Sequence, residues 1–225
     1  MSQEVIISTR AAEYRYKQGF ALQPITLDLA RSEICFIMGA NGSGKSTLGR
    51  LLAGIYKPCS GSVTIDGEDS RKLSLSACGR KIGYLWQKPD LQLFAPTVWE
   101  DMTFLGEFVG GETPKVRQNA EYWLDQMGLL ELKVQSVHLL SRGEKQRLAL
   151  AGVLAAGSRY LILDEPTTGL DEARRGVLAD ILRLLHSDGI GISVISHDRE
   201  LAEQLATRRL IIDKGGISDD IRPPR

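Results

Sequence analysis

The apolar residues of this chain keep different spacings in different stretches, and each spacing predicts its own kind of element. From "VIISTRAAEYRY" to "GSVTIDGED" the chain reads as short β segments joined by glycine-bearing turns. The run "EICFIMG" is apolar after its opening Glu33 and predicts a buried strand, which leads through a glycine-rich loop into a helix, "KSTLGRLLAGIY". Residues 97–139 change character. There "PTVWEDMTFLGEF" and "PKVRQNAEYWLDQMGLL" read as helices, with Pro114 where a first helical turn tolerates it. The last third alternates: a helix over 144–156, strand "RYLILDE", helix "DEARRGVLADILRLLHSD", strand "GISVISHD", helix "RELAEQLA" and strand "RRLIIDK". Unbroken apolar strands alternating with helices predict an α/β fold, a mostly parallel sheet with helices on both faces. The tail "SDDIRPPR" is expected to fray.

Composition narrows the class without changing the pattern. A chain of 225 residues, 43% of them hydrophobic, is long enough to bury a full core. Its 28 Lys+Arg balance 28 Asp+Glu, so no basic excess points to nucleic acid. Cys35, Cys59 and Cys78 form no CxxC pair and are odd in number, which argues against a disulfide framework or zinc site and fits a reducing cytosol. Cys35, inside "ICFIMG", reads as a core filler. No basic start followed by an apolar block marks a signal peptide. The longest apolar runs fall far short of the roughly 20 residues that span a bilayer. The chain is therefore expected to be soluble by itself, with any membrane role exercised through a partner.

The candidate chemistry begins at Gly39-Ala40-Asn41-Gly42-Ser43-Gly44-Lys45-Ser46, followed by Thr47. This fits G-x-x-x-x-G-K-[ST], in which glycines let backbone N–H groups close around a phosphate. The lysine reaches the outer phosphate oxygens, and the Ser46 hydroxyl is placed for Mg²⁺. A matching acidic strand end lies in "YLILDEP", where Asp164 and Glu165 fall at the edge that binds ligands in open α/β sheets. Asp164 is the natural partner of Ser46 at Mg²⁺, either directly or through a water bound to the ion, and Glu165 has the chemistry of a general base for a water attacking the γ-phosphate. The plainer alternative is an Asp-Glu pair that caps a turn before Pro166. His197 follows the apolar strand of "VISHD" and so faces the same edge, suited to sensing the γ-phosphate or orienting water.

A second anion-binding feature stands about a hundred residues later. In "HLLSRGEKQRLALAG", Ser141 is a good N-cap and Glu144 three residues on completes a capping box before an amphipathic helix. The unpaired N–H groups and outward dipole of such a helix start also suit an anion.

Taken in order, Gly39–Thr47, Gln87 in "YLWQKPD", "LSRGEKQR", "LILDEP", Asp171 in "TTGLD" and His197 resemble the nucleotide-binding subunit of ABC transporters over nearly the whole chain. The resemblance implies a P-loop NTPase fold. Residues 1–96 and 157–225 would form a RecA-like core with an N-terminal antiparallel β subdomain, and 97–156 an inserted α-helical subdomain. It also implies ATP and Mg²⁺ as ligands. Tyr16 resembles the aromatic residue that stacks on adenine, with Tyr14 as the alternative. Gln87 resembles the Q-loop glutamine that touches Mg²⁺ or the attacking water. Glu165 would be the catalytic base, His197 the switch histidine, and Asp171 the aspartate at the dimer seam. The "LSRGE" element is similar to the family's LSGGQ signature, whose helix start contacts the γ-phosphate held by the other protomer. Ser141 and Gly143 would donate across that interface. Arg142 and Glu144 depart from the commonest form.

Within the family, "QKPDLQLFAPTVWEDMTF" resembles the ATPase subunits of energy-coupling-factor importers. Leu91, Leu93, Phe94 and Trp99 would line a groove with Asp90, Glu100 and Asp101 on its rims, receiving a coupling helix of a membrane subunit; the plainer alternative is that these apolar residues are core of the helical subdomain. The implied partners are a second ATPase protomer, a transmembrane coupling subunit and a membrane substrate-binding subunit. The implied place is the cytoplasmic face of the membrane, and the implied cargo a vitamin or transition metal. A C-terminal extension common among such subunits is expected to be missing. The alternatives are another ABC importer or exporter, or a soluble ABC-type ATPase acting on DNA or ribosomes, which usually carries coiled-coil insertions or paired cassettes.

Overall fold

The computed structural model describes residues 4–110 and 114–222, with side chains for all of these but 105–110. Strands β1 (Val5–Arg15) and β2 (Ala21–Ala30) open the chain, followed by β3 (Ile34–Met38) and helix α1 (Lys45–Leu52). Strands β4 (Ser60–Ile65) and β5 (Glu68–Asp69), helix α2 (Leu75–Lys81) and strand β6 (Ile82–Leu85) come next. Helices α3 (Val98–Gly110), α4 (Pro114–Gln126) and α5 (Arg142–Ala155) follow in succession. Then come β7 (Tyr160–Asp164), α6 (Glu172–Ser187), β8 (Gly191–Ile195), α7 (Arg199–Leu205), β9 (Arg208–Asp213) and β10 (Gly216–Ile221).

These strands form an antiparallel sheet of order β2-β1-β4-β5 and a six-stranded sheet of order β10-β9-β3-β8-β7-β6. In the second sheet β9, β3, β8, β7 and β6 run parallel, and β10 adds an antiparallel edge. Its central strands β3, β8 and β7 are buried almost throughout, which is why their sequences lack alternation. Successive residues of β3 point to opposite faces: Ile34 and Phe36 join the cluster under α5 and α6, while Cys35 and Ile37 join the cluster under α1 and β1. Cys35 is a core residue as expected, and burial pushes its thiol up to about 12.

Several expectations from the sequence need correction. The N-terminal segments are long rather than short, with 11 residues in β1 and 10 in β2. The strand β1 is bent by register shifts on either side of Ala12, with Ala11 at φ 44°, and this hides its periodicity. The helix after the glycine-rich loop stops at Leu52, because Gly54 follows its C-cap. Helix α2 was not foreseen; Ser74 caps it by accepting from the Ala77 N–H at 3.1 Å.

The C-terminal tail does not fray where it is described. Instead "SDDI" belongs to β10, paired with β9. Arg208 holds it there: the nearly buried guanidinium donates to Asp220 Oδ2 at 2.6 Å and to Glu33 Oε2 at 3.2 Å. Arg222 pairs with the other oxygen of Glu33. Residues 223–225 of the tail lie outside the described residues.

Candidate functional site

The glycine-rich loop joins β3 to α1 and is supported from behind by the β9–β10 turn. Gly39 has φ 143°, and a Cβ there would lie 2.1 Å from the Ile212 carbonyl oxygen, so the close approach requires glycine. At the turn, the Gly215 N–H donates to the Ser43 carbonyl at 2.9 Å, and the Gln23 N–H donates to the Gly215 carbonyl at 2.9 Å. Gly215 has φ 83°, and any side chain would run into the Ala21 carbonyl oxygen. The "DKGG" turn thus fixes the loop, a role that local sequence did not announce.

Inside the loop, Lys45 Nζ donates to the Gly39 and Ala40 carbonyl oxygens, at 2.9 Å each. Burial holds its pKa below the usual lysine range, opposed by the charges of Glu165 and Asp164. The first turn of α1 has no side-chain cap, so its leading N–H groups point outward for an acceptor. Ser43 Oγ is buried in the same cradle without a hydrogen-bond partner.

The strand ends bring the carboxylates to this loop. Fully buried Asp164 ends β7; its Oδ1 accepts from Ser46 Oγ at 3.1 Å and its Oδ2 from Tyr84 Oη at 3.2 Å. Burial raises its pKa, countered first by the Ser46 hydrogen bond. Glu165 adopts φ 54°, left-handed and strained for a residue with a side chain. Its N–H donates to the Ile195 carbonyl at 2.8 Å, which joins the ends of β7 and β8. Its Oε1 lies 3.4 Å from His197 Nε2, and burial raises the carboxyl pKa. Gln146, buried in α5, donates from Nε2 to the Glu165 carbonyl at 3.4 Å.

A cleft of about 840 Å³, open to solvent, gathers the expected residues of one site. Asn41, Gly42, Gly44, Lys45, Ser46 and Thr47 line it, together with Tyr16, Gln87, Asp164, Glu165 and His197. Gly39, Ala40 and Ser43 complete the loop behind this wall. At its outer end the Tyr16 hydroxyl lies 3.3 Å from Thr47 Oγ1 and donates to Tyr56 Oη at 3.5 Å. Tyr14 stacks on Tyr56 instead, with centroids 4.4 Å apart, and is absent from the cleft wall. Of the two tyrosines considered, Tyr16 has the site position. Phe20, which lines the cleft, was missed, as were Tyr56, Tyr84 and Arg50 behind it, because each is an ordinary strand, loop or helix residue until the fold assembles them.

Ser141, Arg142, Gly143, Glu144 and Asp171 do not line this cleft. The capping box is present: the Ser141 N–H donates to Glu144 Oε2 at 2.7 Å and the Glu144 N–H to Ser141 Oγ at 3.3 Å. Arg142 is exposed beside it. Gly143 faces the Gly169 carbonyl, so a Cβ there would approach within 3.1 Å of that oxygen. Asp171 caps α6, its Oδ1 accepting from the Arg174 N–H at 2.9 Å. The two motifs therefore lie next to each other, outside the wall of the chain's own cleft.

The segment after Gln87 connects β6 to α5. Lys145 Nζ pairs with Asp90 Oδ1 at 2.8 Å, and Gln92 Nε2 donates to the Ala149 carbonyl at 3.1 Å. Leu91 and Phe94 are 65% and 57% exposed, with Phe94 edge-on to Phe104, whereas Leu93 and Trp99 pack on the core. Two of the expected acidic rim residues act differently. Asp101 is buried, and its Oδ1 accepts the Phe94 and Ala95 N–H groups at 3.0 Å each. Glu100 accepts from the Thr97 N–H at 3.1 Å at the start of α3.

A glycine-rich loop on a helix start, facing two acidic residues at the end of one parallel strand, defines a P-loop nucleoside-triphosphatase. The chain belongs to the ABC transporter family of ATPases, whose family model matches residues 22–168. It is 39% identical over 215 residues to the energy-coupling factor transporter ATP-binding protein EcfA of Methanothermobacter thermautotrophicus, covering 94% of this chain and 69% of that protein. It is 39% identical over 217 residues to EcfA2 of Methanospirillum hungatei, covering 95% and 54% of the two chains. Across the curated relatives compared, the chain spans between 33% and 82% of their lengths.

Two solved structures share the fold. A dimeric ATP-binding cassette in a post-hydrolysis state, bound to ADP and Pi, superposes with TM-score 0.88 at 25% identity, covering 98% of this chain and all of that one. CbiO1 of Clostridium perfringens, part of the ABC transporter complex CbiONQ, gives TM-score 0.81 at 31% identity, covering 98% and 90%. Among the described residues no helix is long and apolar enough to cross a membrane.

Proposed function

We propose that the chain binds ATP in the cleft between Tyr16 and His197 and hydrolyses it by in-line attack of water on the γ-phosphate. Tyr16 stacks on the adenine. The loop N–H groups and Lys45 hold the phosphates and neutralise the charge that develops on them. Glu165, its proton affinity raised by burial, takes the proton of the attacking water, and His197 orients that water or the γ-phosphate. Gln87 reaches the same water from the cleft wall.

The oxygen donors Ser46 and Asp164 fit Mg²⁺, which favours hydroxyl, carboxylate and phosphate oxygens and keeps several waters. With Gln87 beside them, they would hold the ion, which supplies charge neutralisation at the phosphate oxygens.

Ser141, Arg142, Gly143, Glu144 and Asp171 lie outside the chain's own cleft, which supports a head-to-tail pair of ATPase protomers. The helix start at Ser141 of one chain would close on the ATP held by the other, with Asp171 at the seam. The second protomer is another copy or a related subunit. The coupling partner is a transmembrane subunit docked at the segment after Gln87, with a membrane substrate-binding subunit beside it. The exposed Leu91 and Phe94 and the EcfA and CbiO relatives support an energy-coupling-factor importer of a vitamin or transition metal, working at the cytoplasmic face.

The single observation that carries the reading is the gathering of Lys45, Ser46, Gln87, Asp164, Glu165 and His197 on one cleft. Purification from membranes tests the transport role. Recovery with a hydrophobic multi-span protein supports it, while recovery with ribosomes or DNA refutes it.

A further inference from the structure

Tyr84 opens the stretch that carries Gln87 and has no role of its own in that motif, yet it touches the carboxylate at the centre of the site. It is the third residue of β6, in register with Ile162 of β7, and its ring lies between the sheet and α1. Its hydroxyl donates to Asp164 Oδ2 at 3.2 Å, while Ser46 Oγ donates to Oδ1 at 3.1 Å. The two bonds take one oxygen each of a fully buried carboxylate and leave it little freedom to rotate.

The surroundings fix the ring itself. Gly49 of α1 makes room for the hydroxyl: a Cβ there would sit 3.4 Å from Tyr84 Oη and 2.6 Å from Ile195 Cδ1. On the other side Tyr84 meets Trp86 edge-on, with centroids 5.3 Å apart, and the Arg50 guanidinium covers Trp86 at 5.0 Å. Trp86 is the neighbour of Gln87, so one pair of rings stands beside both the Asp164 carboxylate and the Gln87 strand end.

We infer that Tyr84 is a positioning residue for the magnesium–nucleotide complex: its hydroxyl holds one oxygen of Asp164 so that the other is presented at Ser46. The inference rests on the proposed reading of Asp164 as a metal-side carboxylate. A hydrogen bond that orients a metal-facing ligand commonly governs metal affinity by tenfold or more. The role is one of aim, separate from packing, because phenylalanine would keep the ring and lose only the hydroxyl.

The test compares Tyr84→Phe with wild type in ATP binding by calorimetry, with excess chelator and then across a magnesium titration. Binding in chelator should stay within twofold of wild type, while half-saturation by magnesium should need about tenfold more of the ion. A magnesium dependence within twofold of wild type would overturn the inference, since a ring that merely packs predicts that outcome. Asp164→Asn separates the two levels. If it removes the magnesium-dependent gain in affinity and Tyr84→Phe does not weaken it, the positioning role alone fails. If Asp164→Asn retains the gain, the metal-side reading fails and the inference with it.

Discussion

His197 Nε2 lies 3.4 Å from Glu165 Oε1, with the two residues following neighbouring parallel strands, β8 and β7. The imidazole is half exposed and the carboxylate nearly enclosed, so one reaches into the cleft while the other waits at its floor. Replacing His197 by Ala should leave ATP affinity within a few-fold and lower turnover roughly a hundredfold, the usual scale for a positioned acid–base group. Steady-state hydrolysis and equilibrium binding on the same preparation measure the two separately.

The outer end of the cleft makes a separate prediction. Tyr16→Ala should weaken ATP binding roughly tenfold, in the range found for base–aromatic stacking, and Tyr16→Phe should bind as wild type does. The hydroxyl bonds of Tyr16 go to Thr47 and Tyr56, both within the protein, so their loss should cost stability more than affinity.

Asp101 gives a pH-dependent test of the loop after Gln87. Burial raises its carboxyl pKa against the pull of two backbone N–H bonds. A raised folded pKa means its contribution to stability is present below the unfolded value and is lost as pH rises through the folded one. Asp101→Asn keeps an acceptor for the Phe94 and Ala95 N–H groups and removes the charge. It should match or exceed wild-type Tm at neutral pH, with the difference closing toward pH ~4. Asp101→Ala orphans both N–H groups and should cost about 1–3 kcal/mol in urea unfolding.

Arg208 tests whether β10 is part of the fold. Arg208→Met would leave Glu33 buried and charged with only Arg222 beside it, and would release Asp220 of β10. Unfolding free energy should fall by about 3 kcal/mol, as for other broken buried pairs.

Much of this molecule could be read before its structure was known, for physical reasons that differ along the chain. The strands β3, β7 and β8 announce themselves because burial on both faces forces an unbroken apolar run. The Gly39–Ser46 loop and the Ser141–Glu144 box announce themselves because their chemistry is local, each set by neighbours within a few residues. What stayed hidden depends on distant pairing. β10 is polar and holds its place through Arg208, and Gly215 matters because it meets Ser43 across the fold. Tyr84 looks like any strand tyrosine until Asp164 is brought beside it. Asp101 carries the charge of a rim residue and turns inward because two N–H groups need its oxygen.

Glu165 carries the central claim, and replacing it by Gln is the most direct test. ATP binding and steady-state hydrolysis should be measured side by side for wild type and Glu165→Gln, in the same assembly with whatever partner subunits the chain is isolated with. The account predicts that the variant binds ATP as tightly as wild type and turns it over at less than about one hundredth of the rate, because only the proton acceptor is gone. Wild-type-like hydrolysis by Glu165→Gln would contradict it.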